Sequence, residues 1–393
     1  MTLASGLTAD RQAGPHRLAR YRSEFPIFRD KTYLNTCSLG ALGERTRRRA
    51  AEFLDLWQAR GAAAWYDVWW TALADLRARY ARVVGAAPEE IALGPSISVM
   101  LSAVAESLDY ARRPRVVVTS LDFPTVAYQW LAKRARGVEL VVVESPDQVS
   151  VPVEAIARAV DERTALVATS HVYFTSGAIQ DIGAVAAAAH AKGALCLVDA
   201  YQSVGQLPVD VRAAGVDFLT AGGLKWLLGG PGIVFLYARH EIARGLRPGI
   251  AGWFGHKNQF AFDARVLELH DDARRFELGT PSLAAVYAQL GGLEYIEEIG
   301  VPAIREVTAA LTEDLIARAR DHGLAAKVAA RPEQRSAIVM LPAADPAAGV
   351  RRLADAGIVA DARPGHVRLS PFFYNLQDDH VRALERLATP ARH

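Results

Sequence analysis

Cysteine is nearly absent from this chain. Cys37 and Cys196 are the only two in 393 residues, too few for a disulfide framework, and neither stands in a metal-ligand spacing. No run approaches the roughly 18 consecutive apolar residues of a membrane span. The first 29 residues carry scattered charges and no apolar core, so no secretion signal is expected. An excess of one charge is also missing. Lysines and arginines number 45 against 43 acids, interspersed, and the net charge of +2 leaves no electrostatic footprint for nucleic acid or an anionic membrane. These absences point to a cytoplasmic setting and small-molecule chemistry. With 51% hydrophobic and 22% charged residues the chain argues against long disorder, and its length allows a large core in two lobes.

Lysine is scarce as well. There are six, at 31, 133, 192, 225, 257 and 327, in a chain that otherwise uses arginine. Lys133 and Lys192 lie on or at the end of polar-faced helical stretches, where a solvated charge accounts for them. Lys225 lies instead in Gly-Gly-Leu-Lys225-Trp-Leu-Leu-Gly-Gly, between two apolar, strand-like runs. The glycines let backbone approach something bulky, and the apolar flanks strip water from the amine and lower its pKa. A desolvated lysine in a glycine-lined pocket suits an enzyme that holds an aldehyde cofactor as a Schiff base.

Strand-like runs recur at 91–94, 115–119, 140–143, 165–168, 194–198 and 233–237, several of them separated by alanine-rich helical stretches at 125–136, 152–160 and 182–192. That alternation predicts an α/β fold with a mainly parallel sheet covered on both faces. Ligands of such sheets bind beyond the carboxyl ends of the strands. A long helix is expected over 44–60, then an aromatic cluster at Trp65, Tyr66, Trp69 and Trp70 that reads as core or subunit contact. Past residue 260 the pattern predicts helices at 282–298, 302–322 and 346–356 with strands near 336–341 and 366–370, a smaller α+β lobe.

Asp199 ends an apolar strand, where a carboxylate can pair with a pyridinium nitrogen or cap the next helix. Gln202 could donate to a ring oxygen. Ser96, Ile97 and Ser98 precede a helix, either as an anion site built of free N–H groups and a hydroxyl or as a simple cap. Phe123 follows a strand and can lie flat on a cofactor or fill core. Ser170 and His171 close another strand, and the histidine reads mainly as structural. Arg368, among apolar neighbours, wants a carboxylate, from a substrate or from a structural ion pair.

The order Ser98, Phe123, Ser170, Asp199, Gln202, Lys225, then Gly-Trp253-Phe-Gly-His256, Phe-Glu-Leu-Gly-Thr280-Pro and Arg368 resembles the class V aminotransferase group of fold-type I pyridoxal-phosphate enzymes. The likeness spans about residues 30–385 and is nearest to kynureninase-like and cysteine-conjugate C–S lyase-like members. It implies a large domain (31–260) with a mainly parallel seven-stranded sheet between helices, a smaller α+β C-terminal domain (261–393), and an N-terminal segment (1–30) packing on the small lobe. It implies pyridoxal 5'-phosphate as cofactor, with Lys225 as the Schiff-base lysine, Asp199 on the pyridine nitrogen, Gln202 facing the ring oxygen and Phe123 on the ring. Ile97, Ser98 and Ser170 join the cofactor site. Trp253 and Thr280 would come from the neighbouring subunit of a homodimer, and Ser38 and Arg368 would bind an amino-acid substrate. Departures narrow this. Thr280 stands where kynureninases carry asparagine, and the segment 61–67 lacks their histidine. Leu224 replaces the usual tyrosine, and no cysteine follows Cys196 to serve as a desulfurase nucleophile. The expected reaction is loss of the α-proton followed by β-elimination from a cysteine S-conjugate. Transamination, epimerisation, a decarboxylating variant, kynureninase-type hydrolysis and a non-catalytic cofactor-fold protein are the alternatives.

Overall fold

The computed structural model describes residues 16–388. Its strands, in chain order, are β1 (Thr32–Tyr33), β2 (Ile91–Gly94), β3 (Arg115–Thr119), β4 (Glu139–Val143), β5 (Thr164–Ser170), β6 (Leu195–Asp199), β7 (Phe218–Gly222), β8 (Val234–Ala238), β9 (Val339–Pro342), β10 (Ile358–Val359), β11 (Asp361–Arg363) and β12 (His366–Leu369). A seven-stranded sheet has the order β2-β8-β7-β6-β5-β3-β4, so the α/β architecture matches the expectation. Neighbours from β7 to β4 run parallel, whereas β8 is antiparallel to both β7 and β2. The connection from β7 to β8, residues 223–233, is a turn without a crossover helix, and the chain doubles back there. That turn carries Lys225. Strands β5, β7 and β8 are buried at every position, which explains why they read as continuous apolar runs rather than alternating ones.

Helix α1 (Glu44–Arg60) begins on an acidic residue and ends on a basic one, both complementing the helix dipole, and Gly61 at φ 50° ends it. Helix α2 (Trp69–Val84) stops at Gly85 in the left-handed conformation. Helix α3 (Ile97–Glu106) is capped by Ser96, whose side chain accepts from the Val99 N–H at 3.3 Å. Helix α4 (Pro124–Leu131) opens on a proline, which costs nothing in a first turn. Across the sheet Tyr80 of α2 lies flat on Phe235 of β8, with ring centroids 3.8 Å apart.

Three members of the aromatic cluster pack, whereas Tyr66 is 91% exposed. Trp69 is buried, and Trp65 and Trp70 stack around Phe254. The helix Leu283–Ile299 lies along α1 and α2, so residues 283–299 pack with the seven-stranded body although they follow position 260. Conversely β1, which precedes it, pairs with β10 beside the three-stranded sheet β11-β12-β9. That sheet shares its own core with Leu34, Leu315, Leu353 and Leu384. Of the N-terminal segment, residues 1–15 lie outside the described residues. The remainder packs through Phe25 against Tyr295, Phe373 and Tyr374, and through an Arg22–Asp379 ion pair at 2.8 Å. Among the described residues no helix is long and apolar enough to cross a membrane.

Candidate functional site

The carboxyl ends of β5, β6 and β7 are in register, Ser170 beside Asp199 and Asp199 beside Thr220. Above them opens a cavity of about 470 Å³. Its walls include Ser38, Ile97, Ser98, Phe123, Ser170, Asp199, Gln202, Lys225 and Arg368, all singled out from the sequence. Trp253 and Thr280 lie apart from it. Trp253 is 40% exposed and donates its indole N–H to the Gln259 carbonyl at 2.7 Å. Thr280 borders a smaller adjoining cavity of about 120 Å³ that shares Pro95 and Gly232 with the larger one.

Lys225 is presented by a tightly tied turn. The Gly229 N–H donates to the Gly223 carbonyl at 2.8 Å, and the Gly40 N–H to the Leu224 carbonyl at 2.9 Å. Gly40 is required by proximity, since a Cβ there would sit 2.3 Å from the Lys225 carbonyl oxygen. Leu228, a non-glycine residue held at φ 58°, is fixed in that strained conformation by burial and by Thr46, whose hydroxyl donates to its carbonyl at 2.8 Å. The Lys225 Nζ lies 4.4 Å from the centroid of the Tyr201 ring. Burial pushes its ammonium down to about 8, partly opposed by the charge of Asp199.

Asp199 is pushed up by burial, against a hydrogen bond from the Tyr201 N–H and the charge of Lys225. Its Oδ1 accepts the Tyr201 N–H at 2.9 Å, and Oδ2 has no hydrogen-bond partner among the described residues. The helix-cap alternative is therefore set aside, because no helix follows it and its second oxygen is left for a donor in the cavity. Gln202 is more committed than the sequence implied. Its Nε2 donates to the Cys37 carbonyl at 2.9 Å and its Oε1 accepts from the buried Trp226 indole at 2.9 Å, which leaves one amide proton for a ligand.

At the opposite wall the Ile97 and Ser98 N–H groups open α3 without intrahelical partners, and the Ser98 and Thr125 hydroxyls are 2.7 Å apart. Phe123 is 46% exposed and meets Phe174 edge-on at 5.2 Å. The preceding residue, Asp122, escaped the sequence reading. Its buried carboxylate accepts from the Thr119 N–H at 2.7 Å and the Ser170 N–H at 2.6 Å, and so fixes the ends of β3 and β5 on which Phe123 and Ser170 stand. Burial pushes it up to about 6 in spite of those bonds. His171 is buried, with Nδ1 unpaired, and burial lowers it to about 4, which fits a neutral structural ring.

Arg368 is almost fully enclosed, its side chain 1% exposed. Its Nε and Nη2 grip the two oxygens of Asp361 at 2.9 and 2.7 Å, Nη2 also meets the Ser38 hydroxyl at 2.7 Å, and Nη1 donates to the Phe174 carbonyl at 3.1 Å. The Ser38 hydroxyl in turn donates to Asp361. Asp361 was missed in the sequence although the signal was there. A Pro364-Gly365 turn between two short runs predicts a hairpin, and its pairing sets Asp361 opposite Arg368.

This donor set fits pyridoxal phosphate. A free carboxylate oxygen answers a ring N–H, a desolvated amine answers the aldehyde, and a helix N-terminus with two hydroxyls answers a phosphate.

The family model described as Aminotransferase class-V matches residues 47–382. An uncharacterized aminotransferase of Bacillus subtilis, YcbU, is 35% identical over 379 residues, covering 96% of this chain and 99% of that protein. A kynureninase of Geobacillus thermodenitrificans is 30% identical over 370 residues, covering 90% of this chain and 86% of that protein. Among solved structures, the apo cysteine desulfurase of Thermococcus onnurineus NA1 superposes with a TM-score of 0.84 at 22% identity, over 93% of this chain and 96% of that one.

Proposed function

Because the chain belongs to the class-V aminotransferase family and is a pyridoxal-phosphate enzyme, we propose that it removes the α-proton of an amino acid and expels a thiolate from Cβ, as a C–S lyase acting on a cysteine S-conjugate. Bound in the cavity, the cofactor supplies the electron sink that makes the α-proton acidic. Lys225 takes that proton, since an amine lowered to about 8 keeps roughly a tenth to a fifth of its population neutral near physiological pH, far more than an unshifted lysine. Asp199 holds the proton of the ring nitrogen, Phe123 covers the ring, and Ile97, Ser98 and Thr125 hold the phosphate. Ser170 and the remaining Gln202 amide proton face the ring's polar edge. The carboxylate of the substrate goes to the arginine end of the cavity.

One observation carries the choice of elimination. Among the described residues neither histidine nor glutamate lines the cavity, and Lys225 is a side chain within it whose pKa burial brings down to about 8. Elimination of a thiolate needs a single base and no activated water, whereas hydrolytic Cβ–Cγ cleavage needs a further group to handle water. The resemblance to kynureninases also breaks at Thr280 and at 61–67, where their recognition of the aromatic substrate resides. Holoenzyme mixed with S-substituted cysteines should release pyruvate, ammonia and thiol in equal amounts, and give no anthranilate from kynurenine. Conversion of the cofactor to its amine form without thiol would instead establish transamination.

We also propose a homodimeric working form, with Trp253 and Thr280 serving the partner's site. Trp253, Phe260 and Phe262 form a cluster in which Trp253 stacks on Phe262 and Phe260 meets both edge-on; they are 40%, 63% and 76% exposed, and apolar area of this kind is costly to leave in water. Sedimentation should give a dimer that Phe260→Asp with Phe262→Asp dissociates. A monomeric wild type with full activity would end this reading.

A further inference from the structure

Tyr201, two residues past Asp199, lines the same cavity with a half-buried side chain that no hydrogen bond claims among the described residues. Its backbone N–H is held by Asp199 Oδ1 at 2.9 Å, which fixes where that side chain starts. The ring then lies against Gly222, the last residue of β7. A Cβ on Gly222 would sit 2.6 Å from Tyr201 Cε2 and 2.7 Å from Val234 Cγ1, so only glycine at that place leaves room for the ring. The face of the ring is turned to Lys225, whose Nζ lies 4.4 Å from its centroid and makes no hydrogen bond or ion pair among the described residues. At such a distance a ring face attracts a cation, most strongly where water is excluded. Burial works against the charged amine, Asp199 and Cys37 favour it, and Arg368 and Arg363 oppose it. Burial also pushes the Tyr201 phenol up, so the ring supports the ammonium as a neutral neighbour.

Building on the reading of Lys225 as the group that moves the α-proton, we propose that Tyr201 is its positioning residue: the face of the ring seats the free amine and supports the charge the amine takes up with a proton. A flexible four-carbon side chain without a hydrogen-bond partner would otherwise spread over many rotamers, and a base reacts fast only from the right place. The ring itself is seated by Gly222 and by the Tyr201 N–H, so its face is set before the amine arrives. The hydroxyl takes no part in this, which separates the ring's role from that of a phenol.

The test reads Lys225 directly, by magnetic resonance of the full chain freed of cofactor. The chain has six lysines, so carbon-13 placed at Cε gives six signals, and Lys225→Ala identifies the one concerned. In the wild type that signal should be displaced by the ring current and should titrate at about 8. Tyr201→Phe keeps the ring and should keep both properties. Tyr201→Leu should lose the displacement and titrate roughly half to one pH unit lower, while the other five signals stay in place and show the fold intact. In the holoenzyme at about pH 9, where the amine is mostly neutral, thiol release from an S-substituted cysteine should fall about tenfold in kcat for Tyr201→Leu. KM should change by less than about twofold, and Tyr201→Phe should stay close to wild type. A Lys225 signal that neither moves nor retitrates in Tyr201→Leu would overturn the proposal. So would a Tyr201→Phe variant that loses as much as Tyr201→Leu, since the hydroxyl would then be the acting group. The signal needs no substrate, so the seat stands or falls separately from the elimination reading, which a lack of thiol release would end by itself.

Discussion

Replacing Lys225 by alanine is expected to lower turnover about 10⁴-fold or more, because in the proposed reaction one side chain both anchors the cofactor and moves the α-proton. Borohydride reduction should add the cofactor's mass to the wild-type chain and not to the variant. The environment also sets a pH signature. With the amine lowered to about 8, roughly half of it is neutral at that pH, against a few parts per thousand for an unshifted lysine. Capture of pyridoxal phosphate by the apoenzyme should therefore rise with pH and level off above about 8. The linkage has a definite sign. The folded value lies below the unfolded one, so the unfolded chain binds the extra proton between about 8 and 10.5, and apoenzyme stability should gain from this group as pH rises through that window. The alanine variant should lack that gain. A capture profile that keeps rising past pH 10 would show that the turn does not desolvate the amine.

Much of this was legible in the sequence because it depends on local chemistry. Lys225 is conspicuous for being a lysine between glycines in an arginine-using chain, and Asp199 for being a charge at the end of an apolar run. The inner strands of the large sheet announce themselves because burial on both faces favours apolar residues, whereas edge strand β4 is only partly buried. What stayed hidden depends on register and on distant packing. The reversal of β8 goes with the helix-free turn that holds Lys225, and nothing in the residues of β8 itself announces it. Asp122 looks like an ordinary turn residue until β5 arrives to donate its Ser170 N–H. Ser38 and Arg368 both line the cavity, and their bonds to each other and to Asp361 join residues 330 and 7 positions away along the chain from Arg368, which no local pattern announces. Gln202 was read as a ligand donor, but the Cys37 carbonyl and the Trp226 indole claim most of it. The final helix, Gln377–Ala388, passed unnoticed although Asp378 and Asp379 in its first turn complement the helix dipole.

Asp199→Asn separates the electrostatic part of the site from its shape. Asparagine keeps the oxygen that accepts the Tyr201 N–H at 2.9 Å, so the turn after β6 should hold and the protein should fold. What is lost is a negative charge in a buried place, where it matters most. Burial pushes the Asp199 carboxyl up, so its ionised form must be supported by a positive partner; Lys225 is one, and the ring N–H of the cofactor would be the second in the proposed site. With the cofactor bound and Lys225 engaged on it, the ring nitrogen is the partner that remains. An amide cannot hold a proton there, and turnover should fall on the order of 10²–10³-fold, the usual loss when one preorganised electrostatic partner is removed. Two further readings keep a folding defect from passing as this effect. The cofactor should stay reducible onto Lys225, since the lysine is untouched. The capture profile should also shift to lower pH, because Asp199 is the largest influence raising the Lys225 pKa against burial. A variant that captures cofactor at the wild-type pH and turns over within threefold of wild type would remove Asp199 from the chemistry.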